Sequence, residues 1–305
     1  MLVAIKSFRE QIRLPAYSRI ALGYEPTYYG AARLIAKKAG LKKDKPSHCY
    51  VWCHGCRLLG PQDIRYYIRF PQLAGNVLVA RQEEVEFLQA AGIDRVHAVG
   101  LPINYAGLSR AHRQEGSLLV MPPHATKHSA ISDSVAEYAN YIQSIKHHFA
   151  KVVCCMSREC IKTAQMHKLF LKHKIPVICG AAIDDANSLP RMRQIFETYD
   201  FVTTNTFGSH LAYGMAFGAK VSVSGPMLYR KAADLAKEPF IIDNPDLGTD
   251  DFIRSQRVKL MNKFASLLVA PWESKEYSEW GNELIGAKNT QSPRQVAILL
   301  GLKGA

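Results

Sequence analysis

Three short segments of this 305-residue chain contain residue types that could do chemistry. In the first, His54 and Gly55 end an apolar run that is typical of a β-strand. An imidazole with a pKa near neutrality can take a proton from an attacking hydroxyl, so we predict that His54 is a general base. Glu25 and Asp63, in loops nearby in sequence, are alternative bases, and a structural role is the alternative for His54.

The second segment covers residues 121–129 and follows a predicted strand at residues 117–121. Its lysine could neutralise a phosphate, and its histidines could donate a hydrogen bond to a departing phosphate. The alternative is a proline-rich loop whose histidines cap the next helix. The candidate binding residues here are His124, Thr126, Lys127 and His128.

The third segment covers residues 200–226, where the pattern predicts a strand, a Gly-Ser turn, a helix and another strand. Gly208 allows a ligand close to the backbone, Ser209 offers a hydroxyl, and a helix that begins here offers free N–H groups to a phosphate. The alternative is an ordinary strand-turn-helix connection. The candidate binding residues are Asn205, Thr206, Gly208, Ser209, His210, Gly225 and Pro226.

This third segment resembles the donor-binding half of GT-B glycosyltransferases. The resemblance implies that the loop at residues 205–210 holds the phosphate and sugar of a nucleotide-activated donor. It departs from the family in one respect, because residues 209–219 contain no Glu to hold the ribose. The lack of this Glu and the presence of the His54-Gly55 turn are features in which the chain resembles sialyl- and Kdo-transferase-like enzymes of capsule and lipopolysaccharide assembly. The resemblance therefore implies that the donors include CMP-linked sugars.

The resemblance therefore implies a transferase that moves a sugar from a nucleotide-activated donor to a surface-polysaccharide or lipopolysaccharide acceptor. Its implied partners are a nucleotide sugar and a glycan or lipid-linked acceptor. The nucleotide sugar is a co-substrate, so we expect no cofactor and no metal site. A non-catalytic GT-B-like subunit that only binds glycan is the second hypothesis.

A third hypothesis comes from Cys49, Cys53 and Cys56, whose spacing matches the three thiolates of radical S-adenosylmethionine iron-sulfur enzymes. The seven cysteines lie mostly in apolar runs, which favours free thiols. Asp184 and Asp185 could bind a metal, but we expect them to form a solvated turn.

The elements that position these segments alternate between strands and helices, which predicts parallel sheets with crossover helices. We predict an α/β fold with two Rossmann-like domains (GT-B) facing across a cleft. The predicted divisions are an acceptor-side domain at residues 1–112, a linker at 111–116, a nucleotide-sugar domain at 117–270 and C-terminal helices at 271–305. The pattern also predicts a strand at 19–23, one helix at 161–173, and helices at 254–270 and 278–287 that pack back.

The composition, with 48% apolar residues and a net charge of +13, fits two globular cores and an anionic partner. The basic residues are densest in the N-terminal half, which favours an anionic membrane surface. No RNA-binding signature accompanies the charge, so we expect no nucleic acid. No apolar run has the length of a membrane span or a signal peptide, which predicts a cytoplasmic protein, peripheral on the inner membrane at most.

Overall fold

The computed structural model describes residues 14–68, 75–107, 112–124, 132–162, 165–228 and 230–305, without the side chains of residues 132–134. Thr126, Lys127 and His128, which the sequence places among the binding residues, lie outside the described residues.

The strands of the described residues form two sheets, and every pair of neighbouring strands is parallel. The smaller sheet has the order β1-β2-β3 and the larger one β6-β5-β4-β7-β8. This confirms the predicted α/β class with parallel sheets. The strands are β1 (Cys49–Trp52), β2 (Asn76–Val79), β3 (Val96–Ala98), β4 (Gln114–Val120), β5 (Lys151–Met156), β6 (Val177–Cys179), β7 (Tyr199–Thr204) and β8 (Lys220–Val223).

In the described residues, α-helices lie between β2 and β3 and between each pair of successive strands from β4 to β8, and others precede β1 and follow β8; the connections from β1 to β2 and from β3 to β4 contain short 3₁₀ turns instead. The helices of the described residues are α1 (Ala31–Lys38), α2 (Gln82–Ala90), α3 (Ser132–Ile145), α4 (Arg158–Lys162), α5 (His167–Lys172), α6 (Ser188–Thr198), α7 (Ser209–Ala216), α8 (Ala232–Leu235), α9 (Pro239–Asp243), α10 (Asp250–Lys263), α11 (Ser278–Leu284) and α12 (Pro293–Leu300).

The central strand of the larger sheet is buried on both faces. Leu118, Leu119 and Val120 of β4 are all fully buried, which explains why this strand is continuously apolar rather than alternating. Leu119 belongs to a core shared with the smaller sheet, and Leu118 and Val120 belong to a second core with Tyr138. Buried residues of both sheets therefore meet in one continuous core.

Several predicted boundaries are wrong. Residues 19–23 form no strand; the segment is largely exposed and pairs through one isolated bridge from Arg19 to Asp185. The predicted linker overlaps β4, which already begins at Gln114. The helix predicted over 161–173 is two helices, α4 and α5.

The C-terminal residues return to the first half of the chain, through a helix that the sequence analysis missed. Helix α12 begins with a capping box between Ser292 and Gln295 and ends at Gly301, whose φ is +69°. The backbone N–H groups of Ser47 and His48 donate to the carbonyl of Leu300. The end of α12 is thus hydrogen-bonded to the segment that leads into β1.

The cysteines of the chain are free thiols, as predicted. Cys49 donates to the carbonyl of Val51 at 3.2 Å, and Cys56 donates to the carbonyl of Leu284 at 3.3 Å. Burial raises the pKa of Cys49 and raises that of Cys56 to about 12. In the described part of the chain, no three His, Cys, Asp or Glu side chains are placed to hold a metal ion. This geometry does not favour the iron-sulfur hypothesis.

Among the helices that the structure describes, none combines the length and apolar character that crossing a membrane requires.

Candidate functional site at the edge of the larger sheet

The strand order of the larger sheet creates a crevice at the carboxyl ends of its central strands. Strands β4 and β7 are neighbours, and the chain runs outward from them in opposite directions, to β5 and β6 on one side and to β8 on the other. Open α/β sheets bind ligands at this kind of switch point. A cavity of about 1490 Å³ opens here, lined by residues that follow β1, β4, β5, β6 and β7.

The N-terminus of α7 forms one wall of this cavity. Thr206, Gly208, Ser209 and His210, which the sequence analysis names as candidate binding residues, all line it. Gly208 is the N-cap of α7, and a Cβ at this position would lie 2.9 Å from the ring of His210. A larger residue at 208 would therefore displace His210. The first N–H groups of α7 and its dipole favour a negatively charged ligand.

His210 is a neutral imidazole within this wall. Burial, reinforced by the nearby His124, lowers the pKa of His210 to about 4, although a hydrogen bond with the Thr206 backbone opposes the shift. Its Nε2 atom is buried and has no hydrogen-bond partner among the described residues. Buried polar atoms are nearly always hydrogen-bonded, so this nitrogen is a candidate contact for a bound ligand.

The low pKa of His210 predicts a loss of stability in mild acid. Between the unfolded pKa of about 6.5 and the folded value, the unfolded chain binds a proton that the folded chain does not, so the free energy of unfolding falls as the pH falls. The loss reaches about 3 kcal/mol near pH 4. Urea denaturation at several pH values between 7 and 4.5 measures it, and His210→Asn should flatten the dependence.

The exposed His112, replaced by Asn, is the control for this prediction and should leave the pH dependence unchanged. Equal slopes in wild type and His210→Asn would show that His210 is not the group responsible.

His124 and Arg230 also line the cavity. His124 follows β4, and Arg230 donates to its backbone oxygen at 2.9 Å. Desolvation, together with the positive charge of Arg230, lowers the pKa of His124. Arg257 of α10 lines the same cavity. Two arginines and a helix N-terminus thus bring positive charge to the cavity lining.

His54, the candidate general base, lines the cavity at the end of β1, and contacts with α7 fix the position of its turn. The Tyr213 hydroxyl donates to the His54 backbone oxygen at 2.7 Å, and the Cys56 N–H donates to Ser209 Oγ at 2.9 Å. The His54 ring lies 5.3 Å from the ring of Tyr29. The turn after β1 and the helix after β7 are thus bonded directly, and Ser209 has a structural contact that the sequence analysis did not foresee.

The other predicted bases lie outside the cavity lining. Glu25 is buried in the 3₁₀ turn Glu25–Gly30. Asp63 accepts hydrogen bonds from Arg65, which also forms an ion pair with Asp246 at 2.7 Å. The hydrogen bond with Arg65 lowers the pKa of Asp63. The structure brings only His54 of the three to the cavity wall.

Three further predicted residues lie where the chain leaves β7 and β8. Asn205 donates to the carbonyl of Pro226 at 2.7 Å, which ties the ends of β7 and β8 together. Gly225 has a φ of +87°, and a Cβ there would lie 2.4 Å from the ring of Tyr141. Asn205, Gly225 and Pro226 are not among the lining residues.

The sequence analysis missed Tyr17, Arg158, Arg230 and Arg257, which all line the cavity. Arg158 could have been found, because it follows the end of β5 and therefore lies at the same sheet edge as His124. Tyr17 could not, since nothing in its local sequence places it against that edge.

The chain matches no protein-family model and no curated protein. Among solved structures it is similar to the pneumococcal O-GlcNAc transferase GtfA, in complex with UDP and GlcNAc, at 10% identity and a TM-score of 0.36, covering 81% of this chain and 50% of that one. It is also similar to a TarM variant from S. aureus, in complex with fondaparinux, alpha-GlcNAc-glycerol and UDP, at 11% identity and a TM-score of 0.30, covering 64% and 44%.

A GtfA/B complex is matched at 10% identity and a TM-score of 0.31, with 81% of this chain and 51% of that one covered. This chain thus spans about half the length of each of these structures. Similarity at this level assigns no family.

Proposed function

We propose that the protein is a glycosyltransferase that moves a sugar from a nucleotide-activated donor to a glycan acceptor. The observation that carries this proposal is the cavity at the β4/β7 switch point, where the N-terminus of α7, Arg230 and the buried Nε2 of His210 meet. The acidic residues that line the cavity in the described structure, Glu159 and Asp184, follow β5 and β6 instead. A phosphate is therefore favoured beside α7.

The proposed reaction assigns a step to each of these groups. An acceptor hydroxyl oxygen attacks the anomeric carbon, the bond from that carbon to the phosphate oxygen breaks, and the nucleotide leaves with the electron pair. Arg230 and the α7 N–H groups stabilise the charge that develops on the leaving phosphate. His54 takes the proton of the attacking hydroxyl.

The finer parts of the proposal rest on the sequence. A GT-B arrangement would assign residues 1–112 to the acceptor, 117–270 to the donor, and 271–305 to helices that pack back. The absence of an acidic residue in α7 favours a CMP-linked donor. The charge of +13 favours a lipopolysaccharide or capsule acceptor at the anionic inner face of the membrane, with the protein in the cytoplasm.

Nucleotide binding tests the proposal directly. A ligand that binds only the folded state raises its stability, by about 2.7 kcal/mol at one hundred times Kd. We expect one of CMP, UDP, GDP and ADP to raise the melting temperature, with CMP favoured. In the Arg230→Gln variant, at least ten times more nucleotide should be needed to produce the same rise in melting temperature.

Arg254→Gln is the matched control, because Arg254 is two-thirds exposed on α10 and does not line the cavity. No shift with any nucleotide would overturn the donor assignment. A shift without acceptor-dependent release of nucleotide from the sugar would instead identify a subunit that binds and does not catalyse.

A further inference from the structure

The cavity has a second end that the donor phosphate would leave empty. Its volume of about 1490 Å³ exceeds the roughly 300–1,000 Å³ of common small-molecule pockets. This second end lies beyond the carboxyl ends of β5 and β6, beside the N-terminal segment of the described chain. It is lined by Tyr17, Arg19, Arg158, Lys162 and Asp184.

Arg158 is held in a fixed orientation at this end by an aromatic ring rather than by an acid. Its guanidinium carbon lies 3.7 Å from the centroid of the Tyr17 ring. Across the ranges that the structure describes, Arg158 forms no ion pair. The Arg158 side chain also interacts with the Tyr17 hydroxyl. A guanidinium stacked in this way keeps its other in-plane N–H donors available for a carboxylate or phosphate.

The ring under Arg158 is itself fixed. The Tyr17 hydroxyl donates to Asp184 Oδ2 at 2.6 Å. The neighbouring Ser18 is bonded on both sides, since its N–H donates to Asp185 at 2.8 Å and its carbonyl accepts from the Ala186 N–H at 2.8 Å. The platform is therefore preorganised, which lowers the entropy loss on binding.

The other polar groups at this end suit a ligand that carries hydroxyls as well as one negative charge. Arg19 and Lys162 add positive charge, and Lys162 lies one helical turn after Arg158 on α4. Asp184 and Glu159 bring carboxylate oxygens, which can accept hydrogen bonds from hydroxyls. Because the charges are nearly balanced and the site offers both hydrogen-bond donors and acceptors, it suits a sugar better than it suits a simple anion.

We propose that this end of the cavity binds an acidic sugar residue, whose carboxylate or phosphate group contacts the Tyr17-supported guanidinium of Arg158 and whose hydroxyls contact Asp184. If the protein is a glycosyltransferase as proposed above, this sugar belongs to the acceptor. The acceptor class is then an anionic glycan. Binding of the acidic sugar does not itself depend on the transfer reaction.

Calorimetry with glucuronic acid, glucose 6-phosphate and neutral glucose tests this proposal. Each is titrated into the whole protein with and without a saturating concentration of the nucleotide that gives the largest thermal shift, CMP by expectation, which fills the α7 end of the cavity. We expect one acidic sugar to bind at least tenfold more tightly than glucose, and the better of the two identifies a carboxylate or a phosphate as the recognised group. Arg158→Gln should remove this preference, with an expected loss of about tenfold to a hundredfold.

Two controls separate this site from the donor site. Arg254→Gln and Arg230→Gln should both keep the preference for the acidic sugar, and Arg158→Gln should keep the thermal shift produced by the nucleotide. Equal binding of acidic and neutral sugars by the wild type would overturn the proposal. So would loss of the preference in Arg230→Gln together with its retention in Arg158→Gln. A failure to bind any nucleotide would count against the donor assignment and leave the acidic-sugar result standing.

Discussion

Replacing Asp185 by alanine is expected to destabilise the fold by about 3–5 kcal/mol, because it leaves the buried guanidinium of Arg191 without its counter-charge. Asp185 is fully buried, and Arg191 is 4% exposed and lies 2.6 Å from it. Asp185 also accepts the N–H groups of Ser18 and Asn187. The solvated turn that the sequence predicted at Asp184 and Asp185 is therefore wrong for Asp185.

The loss should extend to the segment that carries Tyr17. Arg191 also donates to the carbonyl of Pro15 at 2.8 Å, so the ion pair joins this segment to the loop after β6. Urea denaturation measures the free energy of unfolding, and proteolysis near residue 17 should become faster in Asp185→Ala. Asp251→Ala removes an acid that is 94% exposed and should change stability by less than about 0.5 kcal/mol. Similar losses in both variants would contradict the assignment.

Replacing His54 by alanine is expected to reduce turnover by about a hundredfold to ten-thousandfold, the usual contribution of a general base. This expectation rests on the proposed transferase reaction. The nucleotide-dependent thermal shift should persist, because the proposed phosphate contacts come from α7 and Arg230. The contacts that fix the turn use the His54 backbone oxygen and the Cys56 N–H, and the substitution keeps both.

Steady-state kinetics with a donor and acceptor that support turnover measures this loss. His112→Ala, at an exposed position, should match the wild type. A base also leaves a signature in the pH profile, so the acidic limb of kcat/KM should disappear in His54→Ala. Wild-type turnover in this variant would rule out His54 as the base and leave its role structural.

The local sequence pattern was sufficient to predict most strands of the larger sheet. Its strands are short apolar runs separated by helical segments, and burial on both faces requires that composition. The segment at residues 205–210 was found for the same reason, because a turn that follows a buried parallel strand must lie at the sheet edge where ligands bind. The prediction failed at residues 19–23, where the apolar segment pairs with the rest of the described chain only through the isolated bridge from Arg19 to Asp185.

What the sequence alone determined, then, is the α/β class, the order of the strands from β4 to β8, and the placement of His54, His124 and the 206–210 loop at strand ends. The hydrophobic periodicity of short segments, and the order in which strand and helix patterns follow one another, carry that information. The tertiary structure alone decided which polar groups are buried together. Asp185 pairs with Arg191, Tyr17 supports Arg158, and Ser209 bonds to the turn after β1. Two of these contacts join residues that are far apart in the sequence, by up to 153 positions, and the pair of Asp185 and Arg191 closes a loop. Tertiary packing, rather than local sequence pattern, selects all three contacts.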